Sequence, residues 1–98
     1  MAHQVILSPK ALRDLEEIVR YIAMDSPATA ERFGRLLIEK ARAAGLFPWS
    51  GRMVPEFNDP KIREFIVKSF RIVYRVNEEA HAVQVARFWH AARGTVAL

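Results

Sequence analysis

Two Ser-Pro pairs, Ser8-Pro9 and Ser26-Pro27, each stand directly before a stretch of helical apolar spacing, and together they restrict the first half of the chain to a helical hairpin. In each pair the serine hydroxyl can accept from an early helical N–H. The proline then takes the first helical position, where its missing N–H costs nothing. After Pro9 the residues Leu12, Leu15, Ile18, Val19 and Ile22 recur at a period of about 3.6, which predicts an amphipathic helix of about four turns. Asp14, Glu16, Glu17 and Arg20 fall elsewhere around it. After Pro27 the apolar positions are Ala30, Phe33, Leu37, Ala41 and Ala44, with Gly45 the expected C-cap. So short a link between the two makes them pack antiparallel.

Beyond Gly45 the period changes. Leu46–Gly51 reads as a loop by its Pro, Ser and Gly content, and three strand candidates follow: Ile62–Val67, Phe70–Val76 and Ala82–Trp89. Asn77–Ala80 is a tight turn joining the last two as a hairpin. In Phe70–Val76 the residues Phe70, Ile72, Tyr74 and Val76 share one face, and Arg71, Val73 and Arg75 share the other. In the last strand Val83/Val85 and Ala86/Phe88 compete for the inner face, and alternation does not choose between them. The opening run His3–Leu7 is a further strand, expected at a sheet edge. The fold class is therefore α+β: an N-terminal edge strand, an antiparallel helical hairpin, then a three-stranded antiparallel meander, all in one domain over residues 1–98. The tail Ala91–Leu98 has no clear period and is expected to be loose.

Composition narrows the chemistry. With no cysteine, disulfides and thiolate catalysis are excluded. No apolar run is long enough to span a bilayer, and the start of the chain has no basic leader pattern, so a cytoplasmic location is expected. The net charge of +4 resides mostly in the half after Gly45, which suggests an acidic partner, nucleic acid or protein.

No phosphate-binding loop, dinucleotide fingerprint, metal-ligand spacing or nucleophile elbow is present, so neither metal nor cofactor is expected. His3 and His81 are expected in solvent at strand ends. His90 closes the last strand and reads either as a backbone-bonded histidine or as a general acid. Arg52, Arg63, Arg71, Arg75, Arg87 and Arg93 lie on or beside the sheet. They make either a solvated outer face or a cationic surface for phosphates or carboxylates, and Arg71 and Arg75 point the same way. Glu56 can pair with Arg52 or Arg63. Alternatively it can deprotonate a ribose hydroxyl, with Arg71 stabilising phosphate charge and His90 protonating the leaving oxygen. Trp49 and Trp89, with Phe47 and Phe88 beside them, are expected to pack in the core.

Six segments in order, S-P-K-A-L-R-D-L-E-E-I-V-R-Y-I-A at Ser8–Ala23, D-S-P-A-T-A-E-R-F at Asp25–Phe33, G-R-M-V-P-E-F at Gly51–Phe57, I-R-E at Ile62–Glu64, F-R-I-V-Y-R-V at Phe70–Val76 and H-A-A-R at His90–Arg93, resemble the RelE/ParE superfamily of toxins from bacterial type II toxin–antitoxin pairs, and the ParE branch in particular. The resemblance implies a compact toxin held silent in a hetero-oligomer with a ParD-like antitoxin, whose disordered C-terminal part folds around the hairpin and sheet. It implies DNA gyrase as the target, blocked through protein surface that includes Arg52, Arg71, Arg75, His90 and Arg93. The alternative is a RelE-like enzyme that cuts mRNA on the ribosome with Glu56, Arg71 and His90. That reading expects Arg71→Ala to abolish cleavage and leave the fold intact. The tail A-A-R-G-T-V-A-L lacks the terminal tyrosine of many such nucleases, and Lys61 and Lys68 are the only lysines after Lys40.

Overall fold

A computed structural model describes residues 2–98; Met1, the first residue of the expected domain, lies outside them. The chain runs β1 (Gln4–Leu7), α1 (Pro9–Ala23), α2 (Pro27–Leu46), β2 (Arg52–Met53), β3 (Ile62–Val67), β4 (Phe70–Asn77), β5 (Ala82–His90) and a 3₁₀ turn (Ala91–Arg93). The strands form one sheet in the order β1-β5-β4-β3-β2. The expected α+β arrangement is present, with β1 at an edge and parallel to β5. It gains one strand, because Arg52 and Met53 pair with Glu64 and Arg63 where a loop was expected.

Both serines cap as their spacing requires. Ser8 Oγ accepts from Ala11 N–H, and Ser26 Oγ accepts from Thr29 N–H. In α1 Leu15 and Ile18 pack against the core as expected, but the stripe also reaches round to Ala11 and Asp14. Ala11 is fully buried while Leu12 is 45% exposed, and Asp14, which was assigned to the outside, is buried. In α2 the expected positions Ala30, Leu37, Ala41 and Ala44 are all buried.

Gly45 is not a C-cap. It lies inside α2, which ends at Leu46 with Phe47 as its C-cap, and its role is close approach. A Cβ there would meet Val5 Cγ2 at 2.6 Å and the His3 carbonyl oxygen at 2.7 Å. That carbonyl is backbone and cannot swing aside, and His3 N–H donates to Gly45 O at 2.8 Å in the same contact. Gly45→Ala gains about 1 kcal/mol of helix propensity. Against it stands overpacking of about 1–3 kcal/mol, plus damage to the β1 pairing. The variant is expected to be net destabilised, read as a lower urea midpoint, with the amides of β1 exchanging first.

Inside the hairpin's contact face, Leu37, Ala41 and Ala44 pack on Val67, Ile72, Tyr74, Val76, Val83, Val85 and Phe88. Three inward residues of β5 come from two phases, and a β-bulge explains why. Tyr74 pairs with Val85 but Val73 pairs with Arg87, so Ala86 is an extra residue. The extra residue resets the alternation, and Val83, Val85 and Phe88 all face the helices. The Ala86 carbonyl is taken by Ser8 Oγ at 2.9 Å.

The outer face is not simply solvated. Val54, Ile62, Val73, Trp89 and Val96 form a second, smaller core there. The tail, expected loose, is part of it: Val96 is buried, Trp89 Nε1 donates to Gly94 O, and Arg87 Nη1 donates to Ala97 O. Trp89 and Phe88 are buried as expected, on opposite faces. Trp49 is 44% exposed and Phe47 is also exposed, so the expectation of core packing fails for both. Trp49 instead carries the Arg63 guanidinium over its ring at 5.2 Å.

Candidate functional site

The β3–β4 ladder places Glu64 opposite Val73 and Ile66 opposite Arg71, so Glu64 and Arg71 are diagonal neighbours on the outer face. Glu64 is 1% exposed, and a buried carboxylate requires donors. Arg71 Nε supplies one at 2.6 Å and Arg52 Nε the other at 2.7 Å. The remaining fork of Arg71 closes on Glu56, with Nη1 to Oε2 at 2.7 Å and Nη2 to Oε1 at 2.8 Å. Glu56 Oε2 also accepts from Val96 N–H at 3.1 Å, which fastens the tail to the loop after β2. The outcome is a chain of two guanidinium groups and two carboxylates with no net charge.

Hydrogen bonding to Arg71 dominates the electrostatics of Glu56. It holds the carboxyl at about 2, below its ordinary 4.5, with desolvation opposing and the Val96 amide assisting. The Arg71 guanidinium is held charged by the same bonds, Glu56 first. Because the folded-state value of Glu56 is depressed, its stabilising contribution is complete above about pH 5 and is lost as pH falls toward 2. Glu56→Gln is expected to flatten that part of the stability curve, measured as urea midpoints across the acid range. An unchanged acid slope would show that other carboxylates carry it.

The sequence-derived residues are only partly brought together. Glu56 and Arg71 meet, so Glu56 pairs with neither Arg52 nor Arg63. Arg63 instead donates to the carbonyls of Pro60 and Gly51. His90 lies on the other face. It pairs across strands with Phe70, which packs with the inner core, and their rings meet edge to face at 4.9 Å. Its Nδ1 accepts from Ala92 N–H at 3.0 Å, the backbone-bonded state expected of a strand-end histidine. With Arg93, Phe70, Tyr21 and Ile22 it lines a groove of about 460 Å³ between α1 and the sheet. Arg93 also stacks on Trp89 at 3.9 Å, and Arg87 lies over the same ring at 4.8 Å.

Arg71 and Arg75 share a face but not a surface, because Val73, covered by the small outer core, stands between them. Nor is Arg71 an exposed arginine, since its side chain is only 11% accessible. The premise behind expecting Arg71→Ala to leave the fold intact, an exposed arginine, therefore does not hold. His3 is likewise not in open solvent: its Nε2 contacts Glu78 Oε1 at 2.6 Å and its ring stacks on His81 at 4.1 Å. Among the described residues no group of three or more His, Asp or Glu side chains is placed to hold a metal ion, and no helix is long and apolar enough to cross a membrane.

Sequence reasoning missed Glu64 and Asp14. Asp14 accepts from both Arg87 Nε and Nη2, at 2.7 and 2.9 Å, and from Phe88 N–H at 3.1 Å. These bonds raise the Arg87 pKa, the Asp14 hydrogen bond being the largest cause. Signals for both residues exist. Glu64 is two residues from Ile62 in a strand, and Asp14 falls three after Ala11 and four before Ile18 in a helix.

Comparison with known proteins agrees with this architecture. The solved structure of the chromosomal ParDE TA system from P. aeruginosa is similar over 91% of this chain and 96% of that chain, with a TM-score of 0.73 and 20% identity. The toxin-antitoxin complex RelBE2 from Mycobacterium tuberculosis is similar over 92% and 99%, with a TM-score of 0.69 and 20% identity. Likeness at this identity establishes the fold. A search of curated proteins finds no match. The family model described as "ParE toxin of type II toxin-antitoxin system, parDE" matches residues 5–94. Matched over nearly its whole length, the chain belongs to the ParE toxin family of type II toxin–antitoxin systems.

Proposed function

We propose that this toxin acts by binding DNA gyrase and stalling replication, not by cutting mRNA, and that a cognate ParD-like antitoxin neutralises it in the cytoplasm. The observation that carries the reading is the separation of the nuclease candidates. Glu56 and Arg71 are locked to each other on the outer face, while His90 caps a turn from the inner face. A general base held at about 2 and paired in both oxygens is poorly matched to proton abstraction near neutral pH. The antitoxin partner follows from family membership and from neighbours that are themselves toxin–antitoxin complexes. The target-contacting residues are the cations that reach solvent, Arg52, Arg75 and Arg93, with His90 in the groove beside Arg93. Arg71 supports them from below.

Two assays test this. Purified toxin is expected to inhibit gyrase supercoiling at concentrations comparable to the enzyme's, and induction in cells should depress DNA synthesis before protein synthesis. Unaffected supercoiling at a large toxin excess would defeat the gyrase reading. An immediate fall in protein synthesis would instead point to the ribosome and its mRNA.

A further inference from the structure

Arg75 differs from the other outer-face arginines. Arg52, Arg71 and Arg87 are each held by a carboxylate, whereas Arg75 is exposed and has no carboxylate partner among the described residues. It stands opposite Gln84 across the β4–β5 ladder, away from the Arg71 cluster. At this end of the sheet the start of α1 is pinned to β5, since Ser8 N–H donates to Val85 O and Ser8 Oγ to Ala86 O. That anchor brings Lys10 and Arg13 alongside Arg75. The three cations line one groove of about 390 Å³ together with Ser8, Gln84 and Leu98, and no acidic side chain contributes to it. Glu17, one helical turn beyond Arg13, lines the groove between α1 and the sheet instead.

We propose that this groove binds the phosphate backbone of duplex DNA. Three like charges gathered with no acidic side chain among them repel one another, and an anionic ligand relieves that repulsion while accepting guanidinium and ammonium hydrogen bonds. Lys10 Nζ already donates to the Leu98 main-chain oxygen at 2.7 Å, so the groove draws an oxygen acceptor from the chain itself. No aromatic anchor of the sort that dominates protein–protein contacts lines it. The choice of duplex DNA rests on the gyrase reading, because a toxin acting on gyrase works beside a DNA duplex.

The test is a titration of purified full-length toxin with a short labelled DNA duplex, without gyrase, over a range of salt concentrations. Three phosphate contacts predict a log–log salt slope of about −2.7. Lys10→Gln, Arg13→Gln and Arg75→Gln combined should bring the slope close to zero with an unchanged melting temperature. If that triple variant does not fold, Arg75→Gln alone should lower the slope by about 0.9. An unaltered slope in a folded variant overturns the proposal. So does tighter binding of single-stranded RNA, or of a polyglutamate peptide, than of the duplex. A parallel supercoiling assay keeps the two readings apart. Loss of inhibition with DNA binding intact defeats gyrase alone, and inhibition without DNA binding defeats the groove alone.

Discussion

Arg71→Ala is expected to lower the stability of the fold by about 3–5 kcal/mol, the range for removing one partner of a buried ion pair. Glu64 would be left with Arg52 alone, whose side chain is 59% exposed and holds it through one bond. Glu56 would lose both bonds of its guanidinium fork and keep only the Val96 amide. The penalty is mainly desolvation of a carboxylate with too few donors, so Arg71→Lys, which keeps the charge and loses the fork, should cost less. For a domain of this size a loss of 1 kcal/mol lowers the melting temperature by roughly 4–8 °C, and Arg71→Ala should fall by several such steps. A cost below about 1 kcal/mol would mean that water replaces the guanidinium at Glu64. The functional consequence is direct. Loss of toxicity in Arg71→Ala would report unfolding as readily as lost chemistry, so Arg75 and His90 are the informative positions for separating binding from catalysis.

The hairpin was legible because caps, prolines and helical spacing are local signals. Strand boundaries were legible for the same reason, since the turns around Lys68 and Glu78 interrupt clear apolar runs. What escaped was whatever depends on contacts distant in sequence. The bulge at Ala86 is invisible to a period-2 reading, which is why the faces of β5 could not be assigned from alternation. Gly45 reads as a cap when only the helix is considered. Its requirement comes from β1, more than thirty residues earlier, approaching its backbone. The charge network was hidden differently. Alternation assigns Arg71 and Glu64 to the outer face, and an outer face is ordinarily wet. Here the loop after β2 and the tail cover it, through Val54, Phe57 and Val96. Once those segments settle, a polar face becomes partly dry, and its charges must pair with each other. That is also why the proposed cationic surface lies elsewhere than Arg71, at the arginines the cover does not reach.

Asp14→Ala is expected to cost a similar amount, about 3–5 kcal/mol, by a route that joins three parts of the fold. β1 ends at Leu7, opposite Val85, so beyond that point the outer edge of β5 has no strand to pair with. Asp14 substitutes for one: its Oδ2 accepts the Phe88 N–H that a longer β1 would have met. The same carboxylate holds the Arg87 guanidinium, whose free end binds the Ala97 carbonyl of the tail. Alanine at this position leaves a buried amide without an acceptor, a partly buried guanidinium without its counter-charge, and the tail with a weaker anchor. Asp14→Asn separates these terms. Its carbonyl oxygen can still accept from Phe88 N–H, while the charge that holds Arg87 is gone, so its loss should be intermediate. Urea midpoints would rank the two variants, and hydrogen exchange would show where the damage lies. The Phe88 amide should lose protection in Asp14→Ala and largely keep it in Asp14→Asn, whereas the Val96 amide should weaken in both. Protection of Phe88 retained in Asp14→Ala would mean that the edge is closed by something other than this carboxylate, and the coupling of helix, sheet edge and tail through Asp14 would have to be abandoned.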